Sequence, residues 1–263
     1  AIAEAFYSNI PLVVISADRP KHLIDIGDGQ TIRQENVFKN HILYSANLKE
    51  FDAKNSVKVL SKAFSLLRQV KGPIHINAPF DEPLYETVAT MNDFCFIAEE
   101  SDLQDTIDYE NLASQWNSAK KKMILVGVHS PNAALEILLD KVADDPSVLV
   151  FTETTSNLYN KRFVNSIDNL IFNLTEDEFT SLQPDILLTF GGMIVSKKIK
   201  KFLRDYSPKE HWHVNELRAF DTYQVLSKHL KIDSHSFFKH FCELVDYDNK
   251  STYESTWTHY KQR

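Results

Sequence analysis

The sequence has 263 residues, of which 43% are hydrophobic and 25% charged, and its formal net charge at pH 7 is −7. This composition is typical of globular proteins, and no apolar run approaches the roughly 20 residues that a membrane span requires. The negative balance argues against broad binding to nucleic acid or anionic membranes, because both need a cationic surface.

The length favours two domains, since single domains commonly hold about 100–200 residues. The first residues carry no basic and apolar segments of a secretory signal, so we expect a cytoplasmic protein. The two cysteines, Cys95 and Cys242, lie far apart and at no metal-ligand spacing. We therefore expect reduced thiols.

Residues 1–90 are assigned to a first domain. The opening residues have the pattern of the end of a helix, with no initiator Met and no cap, so we expect the chain to be a fragment. An apolar run without alternation at 12–15 predicts a strand that is buried on both faces, and 74–78 is predicted to be a second buried strand. Apolar periodicity over 56–70 predicts a helix between them, and such a unit makes the two strands parallel.

A linker is predicted over 91–107, where acidic residues cluster and no period is visible. The second domain is assigned to 108–246 and the remaining residues, 247–263, to a further linker. Strands are predicted at 123–128, 148–151, 186–190 and 212–214, and helices at 108–121, 132–142, 196–206 and 234–245. Because strands and helices alternate, the fold class is α/β with a doubly wound parallel sheet of Rossmann-like type.

The triplet Gly27-Asp28-Gly29 has the composition that opens a metal-diphosphate motif, but its position argues against that function. Such a triplet should follow a buried strand directly, whereas here the preceding strand has already ended and leaves no room for another. Asn55, at the distance of a second metal ligand, lies in a polar run typical of a helix cap. We therefore predict a turn in which Gly27 and Gly29 supply positive φ angles.

The long loop after the first strand is a candidate ligand site, since ligands of parallel sheets bind beyond the carboxyl ends of the strands. Arg19 offers a planar guanidinium for a carboxylate, and Gln30 and Arg33 lie on the same loop. The alternative is structural: Asp18 pairs with Arg19 and anchors the loop.

Three segments carry a resemblance to a known family: PLVVISADRP (11–20), GDGQTIRQ (27–34) and GPIHINAPFDEPLY (72–85). Together they resemble the 2-succinyl-5-enolpyruvyl-6-hydroxy-3-cyclohexene-1-carboxylate synthases of menaquinone biosynthesis. The similarity is dense over about the first ninety residues and looser beyond them.

The resemblance implies a larger enzyme of the thiamine-diphosphate fold type. Residues 1–90 would end its pyrimidine-binding domain, 108–246 would form its central domain, and 247–263 would lead to a diphosphate-binding domain. Such an enzyme uses thiamine diphosphate and magnesium to decarboxylate 2-oxoglutarate and add the succinyl unit to isochorismate, and it is a homodimer or tetramer. The family's catalytic glutamate and main cofactor motifs have no counterpart here, so this chain alone should be inactive.

The resemblance also implies substrate-binding residues. Arg19 and Gln30 match positions that contact substrate carboxylate or hydroxyl oxygens. Lys197 and Lys198 match a basic pair at the start of a central-domain helix, although the second position is expected to be arginine. No catalytic, cofactor-binding or metal residue is assigned within the chain.

Plainer interpretations remain open for these features. Lys197 and Lys198, with Lys200 and Lys201, fit the solvated face of an amphipathic helix. Gly191-Gly192 fits a tight turn better than a phosphate-binding loop, since no further glycine completes a dinucleotide motif. His75 fits a hydrogen-bonded core imidazole. The remaining candidate histidines show no ligand spacing, and we assign no metal to them: His211, His213, His229, His235 and His240.

Two other functions stay open from the residues. The chain could belong to another thiamine-diphosphate decarboxylase or carboligase with a nucleotide-binding central domain. It could also be a non-catalytic α/β binding module that is complete in itself.

Overall fold

The computed structural model describes residues 1–49, 52–82, 85, 87 and 107–261. The chain divides into two compact units, residues 1–103 and 104–263. Cys95 and most of the predicted linker, 91–106, lie outside the described residues. No helix in the described ranges is both long enough and apolar enough to cross a membrane.

The first unit is a small parallel α/β structure. Strand β3 lies between β1 and β2 and pairs in parallel with both, from Val13 opposite Ile74 to Asp18 opposite Pro79 on the β1 side. The elements are α1 (Ile2–Tyr7), β1 (Val13–Asp18), β2 (Tyr44–Asn47), α2 (Ala53–Val70) and β3 (Ile74–Pro79), with short 3-10 helices at Lys21–Leu23 and Lys39–His41.

The predicted crossover in this unit is confirmed, with three differences. Strand β1 continues to Asp18, three residues beyond the predicted end, and it is not buried on both faces, since Ile15 is 70% exposed. Strand β2 was not predicted, because its four residues are too few and too mixed in polarity to show a period. Helix α2 is capped by Asp52, whose side chain accepts the Asn55 N–H at 3.0 Å, so Asn55 is in the first turn and is not the cap.

One face of the three-stranded sheet is covered by α2. Ala46, Ala63, Ile74 and Ile76 form its buried core. The fully buried alanines let the helix approach the sheet closely. The other face carries His75 and Asn77, which are also buried. Polar residues therefore alternate with apolar ones along β3, and they face away from α2.

The second unit contains a five-stranded parallel sheet in the order β5-β4-β6-β7-β8. Its strands are β4 (Lys122–Val126), β5 (Val148–Thr152), β6 (Ile186–Phe190), β7 (Glu210–Val214) and β8 (Leu226–Leu230). Its helices are α3 (Tyr109–Ser118), α4 (Ala133–Val142), α5 (Ile167–Phe172), α6 (Glu176–Leu182), α7 (Lys197–Asp205), α8 (Ser234–Phe241) and α9 (Tyr253–Lys261), with a 3-10 turn at Thr154–Ser156.

Two hydrophobic cores lie on opposite faces of this sheet, which confirms the doubly wound parallel α/β class. One core includes residues of α3, α4 and α8, and the other includes residues of α5, α7 and α9. The strands alternate between the two cores, as Leu187 and Leu188 of β6 illustrate. Helices α5 and α6 and strand β8 were not predicted, because they are short and their apolar patterns are incomplete.

The last helix corrects the prediction of a linker over 247–263. Residues 253–261 form α9, and both Tyr253 and Trp257 are buried in the core. The Tyr253 hydroxyl donates to the Leu182 carbonyl at 2.9 Å. Two aromatic residues four apart lie on one face of a helix, and their burial outweighs the polar character of the segment.

The second unit also contains a buried ion pair. Lys122 Nζ donates to Asp145 Oδ2 at 2.6 Å, and their side chains are 0% and 2% exposed. The other oxygen of Asp145 accepts the N–H and the hydroxyl of Ser147. Burial lowers the pKa of Lys122, while Asp145 acts in the opposite direction.

Candidate functional site

A cleft of about 940 Å³ lies at the carboxyl end of the three-stranded sheet. Parallel strands bring their carboxyl ends to one edge, so residues that are distant in sequence meet there. Asp18 and Arg19 come from the end of β1, Asn77 from β3 and Gln34 from the long loop. The loop singled out from the sequence therefore does border a cleft.

The centre of this cleft wall is Asp18, which is 9% exposed. Its Oδ1 accepts the Arg19 N–H at 2.9 Å and the Gln34 amide at 3.1 Å. Its Oδ2 accepts the Asn77 amide at 2.8 Å. Gln34 Nε2 also donates to the Ala17 carbonyl at 2.7 Å, so it holds the chain on both sides of this junction.

The Arg19 guanidinium turns away from Asp18. Its Nη1 donates to Glu82 Oε1 at 3.2 Å, and its Nη2 lies 3.6 Å from Asp28 Oδ2. The side chain is 29% exposed, and Nε is buried without a hydrogen-bond partner among the described residues. Asp18 therefore anchors the loop, as the structural alternative predicts. It does so by accepting the Arg19 backbone N–H and not by pairing with the Arg19 side chain, so the guanidinium stays at the cleft.

The other residues of the loop are placed differently. Gln30 is exposed, has a left-handed backbone with φ of 61°, and does not line the cleft. Arg33 lines the cleft, but its Nε lies 3.0 Å from the Asp25 carboxylate on the surface. Gln34 and Asn77 were not predicted from the sequence as residues of the site. A weak signal existed for Asn77, because it alternates with His75 in a strand that is otherwise apolar.

The Gly27-Asp28-Gly29 triplet forms a turn. Asp28 Oδ1 accepts the Gly29 N–H at 2.9 Å, while Oδ2 faces Arg19. Gly27 has φ of 85°, as predicted, but Gly29 has no positive φ, so that part of the prediction is wrong. A Cβ on Gly29 would meet no heavy atom within 4 Å.

At the carboxyl edge of the five-stranded sheet, glycines close the space between two loops. A Cβ added to Gly127 after β4 would lie 2.0 Å from the Gly192 carbonyl oxygen after β6. The Gly192 N–H donates to the Val128 carbonyl at 2.7 Å, and Gly191 has φ of 80°. These glycines serve backbone packing, which supports the tight-turn interpretation of Gly191-Gly192. The strand order reverses between β4 and β6. In parallel sheets a nucleotide commonly binds at such a point, but here the loops after β4 and β6 pack against each other there.

Helix α7 begins beside carboxylates of the protein itself. Glu153 accepts the N–H groups of Val195 and Ser196 at 2.8 and 2.6 Å. The Ser196 hydroxyl, which caps the helix, donates to Asp168. An anion at a helix N-terminus is stabilised by these same donors and the helix dipole, so Glu153 competes with an external anion there.

The two lysines at the start of α7 differ in their surroundings. Lys197 is exposed. Lys198 is partly buried, lies over the Phe172 ring at 4.1 Å and reaches the Asp168 carbonyl at 3.4 Å. Further along the helix, Lys200 donates to the Ile194 carbonyl and Lys201 pairs with Asp205, so the helix is not a uniformly solvated basic face.

The histidines separate into a core residue and a cluster. His75 is 0% exposed and its Nε2 lies 2.7 Å from the Ser16 hydroxyl, so it is a hydrogen-bonded core imidazole. Burial lowers its pKa, against the opposing effect of Asp18. Among the described residues, no group of three or more His, Cys, Asp or Glu side chains has an arrangement that could hold a metal ion.

The cluster joins His211, His213 and His229 on one face of β7 and β8. The Thr189 hydroxyl of β6 lies 2.8 Å from His211 Nε2 and 2.7 Å from His213 Nδ1. The ring centroids of His213 and His229 are 6.4 Å apart, and Tyr223 packs edge-on against His211. This grouping follows from strand register, where His213 pairs with His229, and was not predicted.

Comparisons with known proteins confirm the resemblance. No protein-family model matches the chain. Three curated 2-succinyl-5-enolpyruvyl-6-hydroxy-3-cyclohexene-1-carboxylate synthases match it: 52% identity for Flavobacterium psychrophilum, 50% for Flavobacterium johnsoniae and 51% for Christiangramia forsetii. The alignments cover 94%, 94% and 87% of this chain but only 45%, 45% and 44% of the relatives. The chain therefore spans less than half the length of these synthases.

A solved structure is similar in fold. It is a Mycobacterium smegmatis protein assigned to the thiamin diphosphate-dependent enzymes, with a TM-score of 0.62 and 13% identity, over 95% of this chain and 48% of that one. At this identity the likeness concerns the fold alone. The predicted fold class, parallel α/β of thiamine-diphosphate-enzyme type, is confirmed.

Proposed function

We propose that this chain is part of a thiamine-diphosphate-dependent synthase that decarboxylates 2-oxoglutarate and adds the succinyl unit to isochorismate. The observation that carries the proposal is the identity of 50–52% to curated synthases of this kind over 94% of the chain. Menaquinone biosynthesis is the proposed pathway, and transfer by a carboligase is the proposed reaction class. The chain by itself is proposed to be inactive.

Arg19 is the best-supported substrate-binding residue of the proposal. Its guanidinium borders a cleft, and its Nε–H has no acceptor among the described residues. Both substrates carry carboxylates, which a planar guanidinium binds in bidentate fashion. In the structure, Glu82 and Asp28 are the carboxylates beside it. A substrate carboxylate would replace them at the guanidinium.

The other proposed contacts are weaker. Gln30 is exposed on the same loop and does not line the cleft. It would contact a substrate only if the binding site extends beyond this cleft. Lys197 is exposed at the start of α7, whereas Lys198 is held over Phe172. We retain Gln30, Lys197 and Lys198 as proposed substrate-binding residues. An anion that binds Lys197 would have to approach the start of α7, where the carboxylates of Glu153 and Asp168 would repel it.

Thiamine diphosphate and magnesium belong to the proposal for the whole protein. Asp28 does not fit a magnesium-diphosphate site in this structure, because its Oδ1 accepts the Gly29 N–H and its Oδ2 faces Arg19. Held by other parts of the whole protein, thiamine diphosphate would supply carbanion stabilisation for the decarboxylation of 2-oxoglutarate.

We also propose a homodimer or tetramer and a cytoplasmic location. Both rest on the similarity to the synthases and on the composition. A net charge of −7 supports small-molecule substrates over nucleic acid as partners.

The test is the reaction of the full-length protein with thiamine diphosphate, magnesium, 2-oxoglutarate and isochorismate. Product formation that requires all four is expected. Arg19→Ala should raise KM for one of the two substrates by about 10- to 100-fold, because a hydrogen bond to a charged group contributes roughly 1.5–3 kcal/mol. Arg68→Ala, at the end of α2, is the matched control.

Each outcome has a separate meaning. A wild-type protein that binds thiamine diphosphate but forms no such product would overturn the proposed reaction. Normal turnover with an unchanged KM in Arg19→Ala would overturn only the role of Arg19. Calorimetry of the 263-residue chain with the cofactor gives an independent check, in which magnesium-dependent binding would contradict our interpretation of Asp28.

A further inference from the structure

We propose that Asp18, Asn77 and Gln34 are positioning residues that fix Arg19 at the cleft. This inference rests on the proposed role of Arg19 in substrate binding. None of the three reaches the guanidinium in the structure. They act on the backbone junction between Asp18 and Arg19, from which the guanidinium projects.

Asp18 is held in place by several hydrogen bonds. A carboxylate that is 9% exposed requires hydrogen bonds to compensate its burial. It receives three, from the Arg19 N–H, Gln34 and Asn77, with distances of 2.9, 3.1 and 2.8 Å. The bonds come from three segments, namely the junction itself, the far end of the loop and strand β3.

Asn77 can present its amide to Asp18 in only one orientation. The Ser16 hydroxyl donates to Asn77 Oδ1 at 3.1 Å, so Nδ2 must point at Asp18. A hydroxyl has one proton, and therefore the bond of 2.7 Å between Ser16 and His75 Nε2 has the imidazole as its donor. The chain of bonds from His75 to Asp18 thus has a defined direction.

Gln34 closes the loop on which Arg19 lies. One amide group donates to both the Ala17 carbonyl and Asp18 Oδ1, so the two ends of the segment 18–34 are joined. Without these bonds the junction would move with the loop. The guanidinium could then follow Glu82, whose side chain is 74% exposed. A misplaced guanidinium would bind a substrate carboxylate less tightly, because the strength of a charge-assisted bidentate hydrogen bond depends on its geometry.

The experiment is a double-mutant cycle in the full-length synthase, with Asn77→Leu, Arg19→Ala and the combined variant. Leucine has the branched shape of asparagine and the same number of side-chain heavy atoms, but it is bulkier and cannot donate to Asp18. Asn77→Leu should raise KM about 10-fold for the same substrate that Arg19→Ala affects, with kcat changed less than about twofold. In the Arg19→Ala background it should have no further effect, because a residue that acts through another is not additive with it.

Two further variants separate positioning from loss of folding. Gln34→Leu removes both bonds from a partly exposed loop residue without altering a strand, and it should reproduce the KM effect. Asn55→Leu, in the first turn of α2, is the control for the substitution and should leave KM unchanged. The NMR signal of the Arg19 Nε–H group reports the placement without turnover, and it should shift in Asn77→Leu and Gln34→Leu only.

The outcomes distinguish this inference from the proposed function. An additive cycle, or a shift in kcat alone, would overturn the positioning role while Arg19 keeps its own. An unchanged Nε–H signal in both variants would overturn it even in a protein without synthase activity. Absence of the reaction in the wild type would instead overturn the proposed function.

Discussion

The histidine cluster on β7 and β8 predicts that the second unit loses stability in mild acid. Burial lowers the pKa of His211 from its ordinary 6.5 to about 4, and Asp221 opposes this effect. Burial also lowers the pKa of His213 to about 4, and the neighbouring imidazoles His211 and His229 add to the decrease. Both rings are therefore neutral in the folded protein at pH 7.

The sign of the effect follows from proton binding. An unfolded histidine takes up its proton near pH 6.5, whereas these two remain neutral down to about pH 4 when folded. Stability is complete above pH 6.5 and falls as the pH decreases from 6.5 to 4, because the unfolded state binds more protons. For one ring the loss at pH 5 is roughly 2 kcal/mol, and for both it is at most about 4 kcal/mol.

The assay is urea unfolding followed by tryptophan fluorescence at several pH values between 7 and 5. All three tryptophans, Trp116, Trp212 and Trp257, lie in the second unit, so the signal reports that unit alone. His213→Gln keeps a hydrogen-bonding group near Thr189 but cannot be protonated. Between pH 7 and 5, this variant should lose about half as much unfolding free energy as the wild type.

Carboxylates of the protein also begin to take up protons near pH 5, and this changes the stability as well. A control variant separates their contribution from that of the buried histidines. The exposed His259 of α9 is the control, and His259→Gln should keep the wild-type slope. An equal slope in the wild type and His213→Gln would refute the reasoning. A wild-type stability that is constant from pH 7 to 5 would refute it as well.

Three more substitutions test the second unit by urea unfolding. Asp145→Ala leaves Lys122 as an unpaired buried charge and should cost about 3–5 kcal/mol of unfolding free energy. Gly127→Ala places a methyl group 2.0 Å from the Gly192 carbonyl oxygen and should cost at least about 1–3 kcal/mol, since two backbones must separate. Trp257→Ala empties a fully buried site and should cost about 3–5 kcal/mol, which tests α9 as part of the core.

Each of these three has its own control. The paired replacement Lys122→Met with Asp145→Leu should recover much of the loss, and a double variant as unstable as Asp145→Ala would contradict the explanation. Gly29→Ala, where a Cβ meets open space, should be close to neutral. Ser255→Ala on the exposed side of α9 should be mild, and a comparable loss from Trp257→Ala and Ser255→Ala would argue against burial as the cause.

The sequence predicted most of the regular elements, since each is encoded by neighbouring residues. The strand at 186–190 was placed at its observed bounds, and most of the other predicted strands and helices of the second unit agree within a few residues. Most of the elements that were missed are short, whereas the nine residues of α9 were missed because that segment is largely polar. The four residues of β2 and the six of α5 do not complete an apolar period.

The sequence by itself also determined the family resemblance, the parallel α/β class and the choice of Arg19, because motifs and hydrophobic periods are local. The tertiary structure alone decided which polar groups meet. Asn77 bonds to Asp18 across 59 positions because parallel register aligns β1 with β3. Glu153 reaches Ser196 from the end of β5, and His213 meets His229 through the pairing of β7 with β8. Such contacts depend on strand order and register, which no local pattern contains.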